Sequence, residues 1–537
     1  MRGLRTAVAT VAVATLAACG STAAPAPRAV DGVPGRLSAD AEGLTAPTSG
    51  PSGDGSAGPP AGLAPGSTHP PDSSSGGSTA TGRFGAGSGS SGAGSSGGGA
   101  PGGSRGTSSG AVRHGVGVTA KEIFIGIGYT TDAEQANRAL GVEVSQGDTK
   151  ANAEAIIADI NERGGVAGRK LVPVFHAYEA QSAQTGAQQD QAACSRYTED
   201  NKVFAVMGDG YSDTLRACLL KAGVLQVVGG QLYAAERETF DANPQMFNLG
   251  APMQDRWFKA LTPALVRLGY FGGWDTAAGA PAPGKANVGV LAFDQPMWTK
   301  PVPRVLLPAL AAAGHPVAPD NVVYIHAPES NAEIGAAAAE IQNAVLRFQQ
   351  NRVTHVVLLD TTGGLTLLFA SAARNQQYYP RYGVGTTSGL QALYDLGALT
   401  DREVNGAAGV GWDPYIDLPT ADSERFANAK SRSCMELLKR RTGQEYGSTN
   451  EASIALSQCD ELYTTVDAVR GIVGSIDLRS AKASLESLGS FQLASVPRVS
   501  FSRAKHDGPA EFSDLVWDTP CTCVKYVGPR RAFPQLD

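Results

Sequence analysis

The chain has 537 residues, 18% of them charged, and a formal net charge of −6. That length suffices for two or three domains, and the mild acidity, with no basic block and no aromatic–basic interleaving, argues against nucleic-acid binding. Beyond the N-terminal run, no stretch approaches ~20 uninterrupted apolar residues, so the mature chain is expected outside the bilayer.

Arg2 and Arg5 form a short basic region and Thr6 to Leu16 an apolar one, the pattern of a secretory signal. The run is too short to span a membrane. It ends in Leu16-Ala17-Ala18-Cys19-Gly20, which resembles the lipobox of bacterial lipoproteins. The resemblance implies a signal at residues 1–19, cut before Cys19, and a lipid on that cysteine. The protein would then be extracytoplasmic and anchored to the cell membrane, firmly if two or three acyl chains are attached. From Ser21 to about Val112, Gly, Ser, Ala, Pro and Thr dominate. Such a segment buries too little surface to offset the entropy of ordering. Residues 20–115 therefore read as a disordered tether, with a reach of roughly 50 Å.

Near Val116 the pattern changes. Ile123-Phe124-Ile125-Gly126-Ile127 reads as a buried strand. Thr149 is placed to cap a helix running through Glu162, which Gly164-Gly165 stops. A strand follows at Leu171 to Phe175, then a polar helix from about Ser182 to Asp200. Val203 to Met207 is the next strand, then a helix from about Ser212, then a strand at Val224 to Val228. A second set of strands follows: Val288 to Phe293, Val322 to His326, Val353 to Leu359 and Tyr382 to Val384. Helices fall between them near Trp298 to Ala313, Asn331 to Gln350 and Gly363 to Asn375. Alternating strands and helices imply βαβ units and parallel sheets covered on both faces. Residues 422–488 read as mostly helical, and the tail, with Val499, Leu515 to Trp517 and Val524 to Val527, as strands again. The fold class is α/β, in two lobes of similar plan.

Six cysteines remain after Cys19: Cys194, Cys218, Cys434, Cys459, Cys521 and Cys523. An even number in an exported chain favours disulfides, and six permit fifteen pairings. The near-neighbour choice is Cys194–Cys218, Cys434–Cys459 and Cys521–Cys523. Each of the first two would close a loop of about 25 residues, worth ~3 kcal/mol. Cys521-Thr522-Cys523 has no ligand-spaced histidine near it, so no metal is expected.

The segment Ile160-Asn161-Glu162-Arg163-Gly164-Gly165-Val166-Ala167-Gly168-Arg169-Lys170-Leu171 resembles the helix–loop–strand of the type I periplasmic binding proteins, in their branched-chain amino-acid-binding group. Thr119 to Ile123 and Val206-Met207-Gly208 followed by Ser212 are similar to the same family. The resemblance implies two Rossmann-like lobes with parallel sheets, joined by three crossovers near Asn248–Pro252, Val404–Gly411 and Ser495–Ser500. Residues 116–249 with 411–495 would form lobe 1, and 250–410 with 496–537 lobe 2. Such proteins capture a small solute between the lobes, for an ABC permease or a membrane sensor.

Carried onto this chain, the first-lobe site would hold Ser212 and Asp213 after the third strand, Gln231 and Tyr233 after the next, and Tyr129 at the rim. The second lobe would add Asp294, Trp298, Thr361, Thr362, Thr387 and Ser388. Ser212 also reads as a plain helix N-cap, and Tyr233 and Trp298 as packing residues. One departure matters. Amino-acid-binding members hold the ammonium with an acid in the loop corresponding to Gly385-Thr386-Thr387-Ser388-Gly389, where this chain has none. A buried ammonium without a countercharge is costly, so an amino-acid ligand would need Asp294 or Asp360.

Gly210-Tyr211-Ser212-Asp213-Thr214 is a near miss to the nucleophile elbow of α/β hydrolases, but neither His355 nor His506 is tied to a catalytic loop. No metalloprotease, phosphate-loop or dinucleotide signature occurs. The expectation is a monomeric solute-binding lipoprotein without cofactor, not an enzyme, taking a small polar solute. A sensing domain without transport and a secreted hydrolase are the alternatives.

Overall fold

The computed structural model describes residues 113–139, 144–210, 212–230, 234–330, 333–426, 428–446 and 449–536. Cys19 and nearly all of the expected tether lie outside them, as do Gln231 and Tyr233.

The first sheet is parallel and contains β1 (Glu122–Thr130), β2 (Lys170–Tyr178), β3 (Ala205–Gly208), β4 (Leu225–Val228) and β5 (Met246–Asn248). Their spatial order is β2-β1-β3-β4-β5. The alternating isoleucines of β1 are sealed on one face, with Ile123 and Ile125 fully buried. The helix Thr149–Glu162 lies against this sheet, and its N-cap is Asp148, one residue ahead of the expected Thr149. The Asp148 side chain accepts from the N–H of Ala151. Gly164 and Gly165 stop the helix at φ 95° and 71°, and a Cβ on Gly165 would meet the Arg169 carbonyl at 2.0 Å. The helix Gly186–Ser195 opens with a Thr185–Gln188 capping box.

A hairpin absent from the sequence reading, β6 (Gly272–Asp275) and β7 (Ala280–Lys285), precedes the second sheet. That sheet comprises β8 (Val288–Phe293), β9 (Val322–Ile325), β10 (His355–Leu359), β11 (Arg381–Gly385) and β12 (Ala408–Gly411), all parallel. After the small pair β13 (Ser490–Phe491) and β14 (Val499–Ser500), the tail adds β15 (Glu511–Asp518) and β16 (Cys523–Ala532). These two join antiparallel to β12 and to each other, giving the order β16-β15-β12-β11-β10-β8-β9. Each sheet has its own apolar core: Ile156, Phe247, Leu438 and Leu456 for the first, Trp257, Val290, Ile341 and Phe369 for the second.

The chain passes from the first sheet to the second between Asn248 and Gln254, the start of the helix Gln254–Arg267. The second passage lies past Gly411, beyond the expected 404–411, because β12 pairs along its whole length inside the second sheet. The third lies past Phe501 rather than at 495–500, because Val499 and Phe501 still pack on the first core. The first and third passages are tied together: the Asn248 N–H donates to His506 at 2.9 Å, and Gly508 donates back to Asn248 at 2.5 Å. Asp507, fully buried, accepts from the N–H of Met253 at 2.9 Å and from the Arg256 guanidinium.

Disulfides join Cys194 to Cys218, Cys434 to Cys459 and Cys521 to Cys523. The first links the helices flanking β3 and the last closes the β15–β16 turn.

Candidate functional site

In open α/β sheets, ligands bind outside the carboxyl ends of parallel strands. Here those ends belong to β1, β3 and β4 on one side and β8, β10 and β11 on the other, and the loops that follow them hold the candidate residues.

On the first sheet, β1 and β3 approach so closely that a Cβ on Gly128 would meet the Asp209 carbonyl at 2.1 Å. Gly208, at φ 77°, makes the turn. Thr130 Oγ1 donates to Asp209 Oδ2 at 2.7 Å. Asp209 is half-buried. Burial raises its carboxyl above the ordinary range and the neighbouring Asp190 adds to this, against the Thr130 hydroxyl bond. Ser212 is the N-cap of the helix Asp213–Ala222, its Oγ accepting from Leu215 at 3.4 Å. Its own N–H is taken by Asp190 Oδ2 at 2.8 Å. Asp190 comes from the helix Gly186–Ser195, is 2% exposed, and also accepts from the Tyr178 hydroxyl at 2.7 Å. Asp213 is exposed and pairs with Arg216 at 2.8 Å.

After β4, Gly229 N–H donates to Glu461 Oε1 at 2.5 Å and Gly230 N–H to Ser457 Oγ at 2.9 Å. Ser457 and Glu461 are one turn apart on a single face of the helix Thr449–Arg470, so that face supports the glycine turn. Burial, aided by Asp209, pushes the Glu461 carboxyl up to about 8. Tyr129 sits edge-on to Phe175 at 6.0 Å and lines a surface cavity of about 500 Å³ with Lys150, His176 and Arg196, beside the edge strand β2.

On the second sheet, Asp294 accepts from Ala327 N–H at 2.9 Å and pairs with His326 Nδ1 at 3.1 Å. Asp360 is buried and fully engaged: Oδ1 accepts from the N–H groups of Thr361 and Thr362, and Oδ2 from the N–H and hydroxyl of Thr366. It caps its own loop and is no spare countercharge. Thr387 is 3% exposed and its hydroxyl has no partner. Ser388 Oγ accepts from Gly385 N–H at 3.3 Å. Thr386 Oγ1 donates to Asp417 Oδ2 at 2.7 Å and accepts from Trp412 N–H at 2.9 Å. Burial pushes Asp417 to about 7 and, with Asp417 nearby, Asp413 to about 8. Trp298 is not an open stacking face: it is fully buried, edge to face with Trp257 at 5.9 Å. Lys300 Nζ reaches Glu236 at 2.7 Å, from the helical segment after β8 to the loop between β4 and β5.

Asp190, Ser457, Glu461, Asp417 and Trp257 shape these loops and were missed in the sequence, where nothing local marks them. His355 begins β10, at the end of the sheet opposite these loops, and His506 stacks on Phe247 at 4.0 Å in the third passage. Ser212 is thus held by an acid and a helix turn, not by a histidine. Among the described residues, no group of three or more His, Cys, Asp and Glu side chains is placed to hold a metal, and no helix is long and apolar enough to cross a membrane.

No protein-family model matches the chain, and no curated protein does. Solved structures do. A possible leucine/isoleucine/valine-binding protein from Rhodopirellula baltica SH 1 is 13% identical, with a TM-score of 0.53 over 76% of this chain and 97% of that one. A solute-binding protein of an ABC transporter from Rhodopseudomonas palustris HaA2, in complex with p-hydroxybenzoic acid, is 13% identical, with a TM-score of 0.52 over 77% and 98%. An extracellular ligand-binding receptor from Verminephrobacter eiseniae is 16% identical, with a TM-score of 0.50 over 76% and 100%. These likenesses show the fold, that of the type I periplasmic binding proteins.

Proposed function

We propose that the chain is an extracytoplasmic solute-binding protein that captures a small polar solute between its two sheets and hands it to an ABC-type importer. The observation that carries this reading is the pairing of two sheets, parallel but for the antiparallel β15 and β16 of the second, whose parallel strand ends bear polar loops, with three passages of chain between them. Such passages act as hinges in two-lobed binders. The neighbours named above support it: one is a solute-binding protein in complex with p-hydroxybenzoic acid. A lipid on Cys19 and the glycine-rich segment after it would hold the body at the membrane. Of the predicted contacts, Ser212, Asp213, Asp294, Thr361, Thr362, Thr387 and Ser388 lie at strand ends, whereas Trp298 is packed in the second core by Trp257 and Phe258.

A thermal-shift screen of the mature protein against a metabolite library tests the reading. A solute at a hundredfold excess over its Kd adds about 2.7 kcal/mol of stability. A specific hit among small polar solutes is expected; consumption of ester or glycoside substrates with no stabilising solute would overturn capture.

A further inference from the structure

The two sheets are joined by more than the three passages. Glu236, 2% exposed, stands just ahead of the helix Arg237–Ala242, between β4 and β5. Its Oε1 accepts from the Thr239 hydroxyl at 3.0 Å and from Lys300 Nζ at 2.7 Å. Glu238, in the first turn of that helix, receives the Arg304 guanidinium on both oxygens, the second contact at 3.3 Å. Lys300 and Arg304 belong to the helical turns that follow β8, in the second sheet. Two ion pairs thus run from the segment after one sheet's strand end to the segment after the other's. The same segments carry Gly229 and Gly230 on one side and Asp294 on the other.

Both ends of this contact are anchored. Asp255, on the helix Gln254–Arg267, accepts from Arg304 Nε at 3.1 Å through Oδ1 and from the Arg237 N–H at 3.0 Å through Oδ2. The Gln254 N–H donates to the Ala235 carbonyl at 3.0 Å. Those backbone bonds lie at the first passage, where the sheets are connected in any case. The ion pairs lie beyond it, on the side of the strand ends. They differ in environment. The Glu236 carboxylate is buried, and separating a buried charge from its partner is costly. Arg304 and Glu238 are 41% and 43% exposed, so dissolved salt screens their attraction.

We propose that the Lys300–Glu236 and Arg304–Glu238 pairs brace the two lobes beside the first passage, so that these four side chains and the ionic strength set how often the lobes part. This rests on the capture reading, in which the lobes move. Single-molecule energy transfer on the solute-free mature protein tests it, with dyes on genetically encoded keto amino acids at Lys221 and Asn343, an exposed position on each lobe. At low salt, Glu236→Gln with Glu238→Gln should populate the wide separation severalfold more than the native chain. Sodium chloride at about 1 M should move the native chain the same way. Glu445→Gln, which breaks the exposed Lys439–Glu445 pair within the first lobe, should leave the distribution unchanged. Should the double variant fail to fold, Glu238→Gln alone, at a half-exposed side chain, carries the same comparison. Two separations whose weights ignore the variants and the salt would overturn the brace and leave capture standing. An equal shift in Glu445→Gln would overturn it as a general effect of charge. One narrow separation in every variant and at every salt would count against moving lobes, and so against brace and capture alike.

Discussion

Asp190 Oδ2 accepts the backbone N–H of Ser212 at 2.8 Å, so the start of the helix after β3 carries its own internal anion. The two residues should therefore differ in a measurable order. Ser212→Ala removes an N-cap and should cost ~1 kcal/mol. Asp190→Ala strips the acceptor from the Ser212 N–H and from the Tyr178 hydroxyl, which should cost on the order of 2 kcal/mol. Urea unfolding of the two variants checks this; a larger loss for Ser212→Ala would mean its hydroxyl does more than cap.

Stability should fall as pH rises. The Asp413 carboxyl stands at about 8 against an ordinary 3.8, and Asp417 at about 7, both through burial first. The folded state thus holds protons that the unfolded chain releases between those values. Its advantage is complete below the ordinary carboxyl range and is lost as pH climbs through the folded values. The thermal midpoint should be higher at about pH 5.5 than at about pH 8.5, and Asp413→Asn should flatten that slope. A midpoint that rises over the same interval would contradict the assignment.

Asp507 and Arg256 form an ion pair with side chains 0% and 3% exposed. Asp507→Ala leaves a buried guanidinium short of its countercharge, a change that costs 3–5 kcal/mol on the order found for broken buried pairs. Because Asp507 also accepts from Met253 N–H, the loss should be accompanied by faster amide exchange in the first and third passages. Exchange unchanged at Asn248 and Gly508 would show that the pair does not hold the passages together.

The disulfides should rank by the loop each closes. Cys434–Cys459 spans 25 residues and joins two helices of the first core, so replacing both with serine should cost about 3 kcal/mol. Cys521–Cys523 spans 2, and its replacement should cost about half as much. Denaturant titrations of the two double variants give the comparison directly.

Much of the fold was legible along the chain. Apolar runs such as Ile123 to Ile127 and Val288 to Phe293 became buried strands, and the alternation with helices announced parallel sheets. The three-residue β5 was too short to stand out. The β6–β7 hairpin was hidden by its alanines, prolines and glycines. The second passage was placed too early because nothing in Ala408 to Gly411 says which sheet it joins; the Val384 and Leu515 partners decide that. Among the candidate site residues, loop positions could be read from strand ends, but burial could not. Trp298 has the same neighbours in sequence whether it faces a groove or a core, and Trp257 and Phe258 seal it.

Strands, helix stops and the Ser212 cap were readable, and the cap of the helix Thr149–Glu162 to within one residue, because each depends on residues within a pleat or a turn: Gly164 and Gly165 need only their own backbone freedom to end a helix. The state of the strand-end loops was settled by folding alone. The N–H of Ser212 is taken by a residue 22 positions away, and that of Gly229 by one 232 positions away. A hydrogen bond reaches only about 3 Å, so which donors stay open to a solute is a property of the assembled chain.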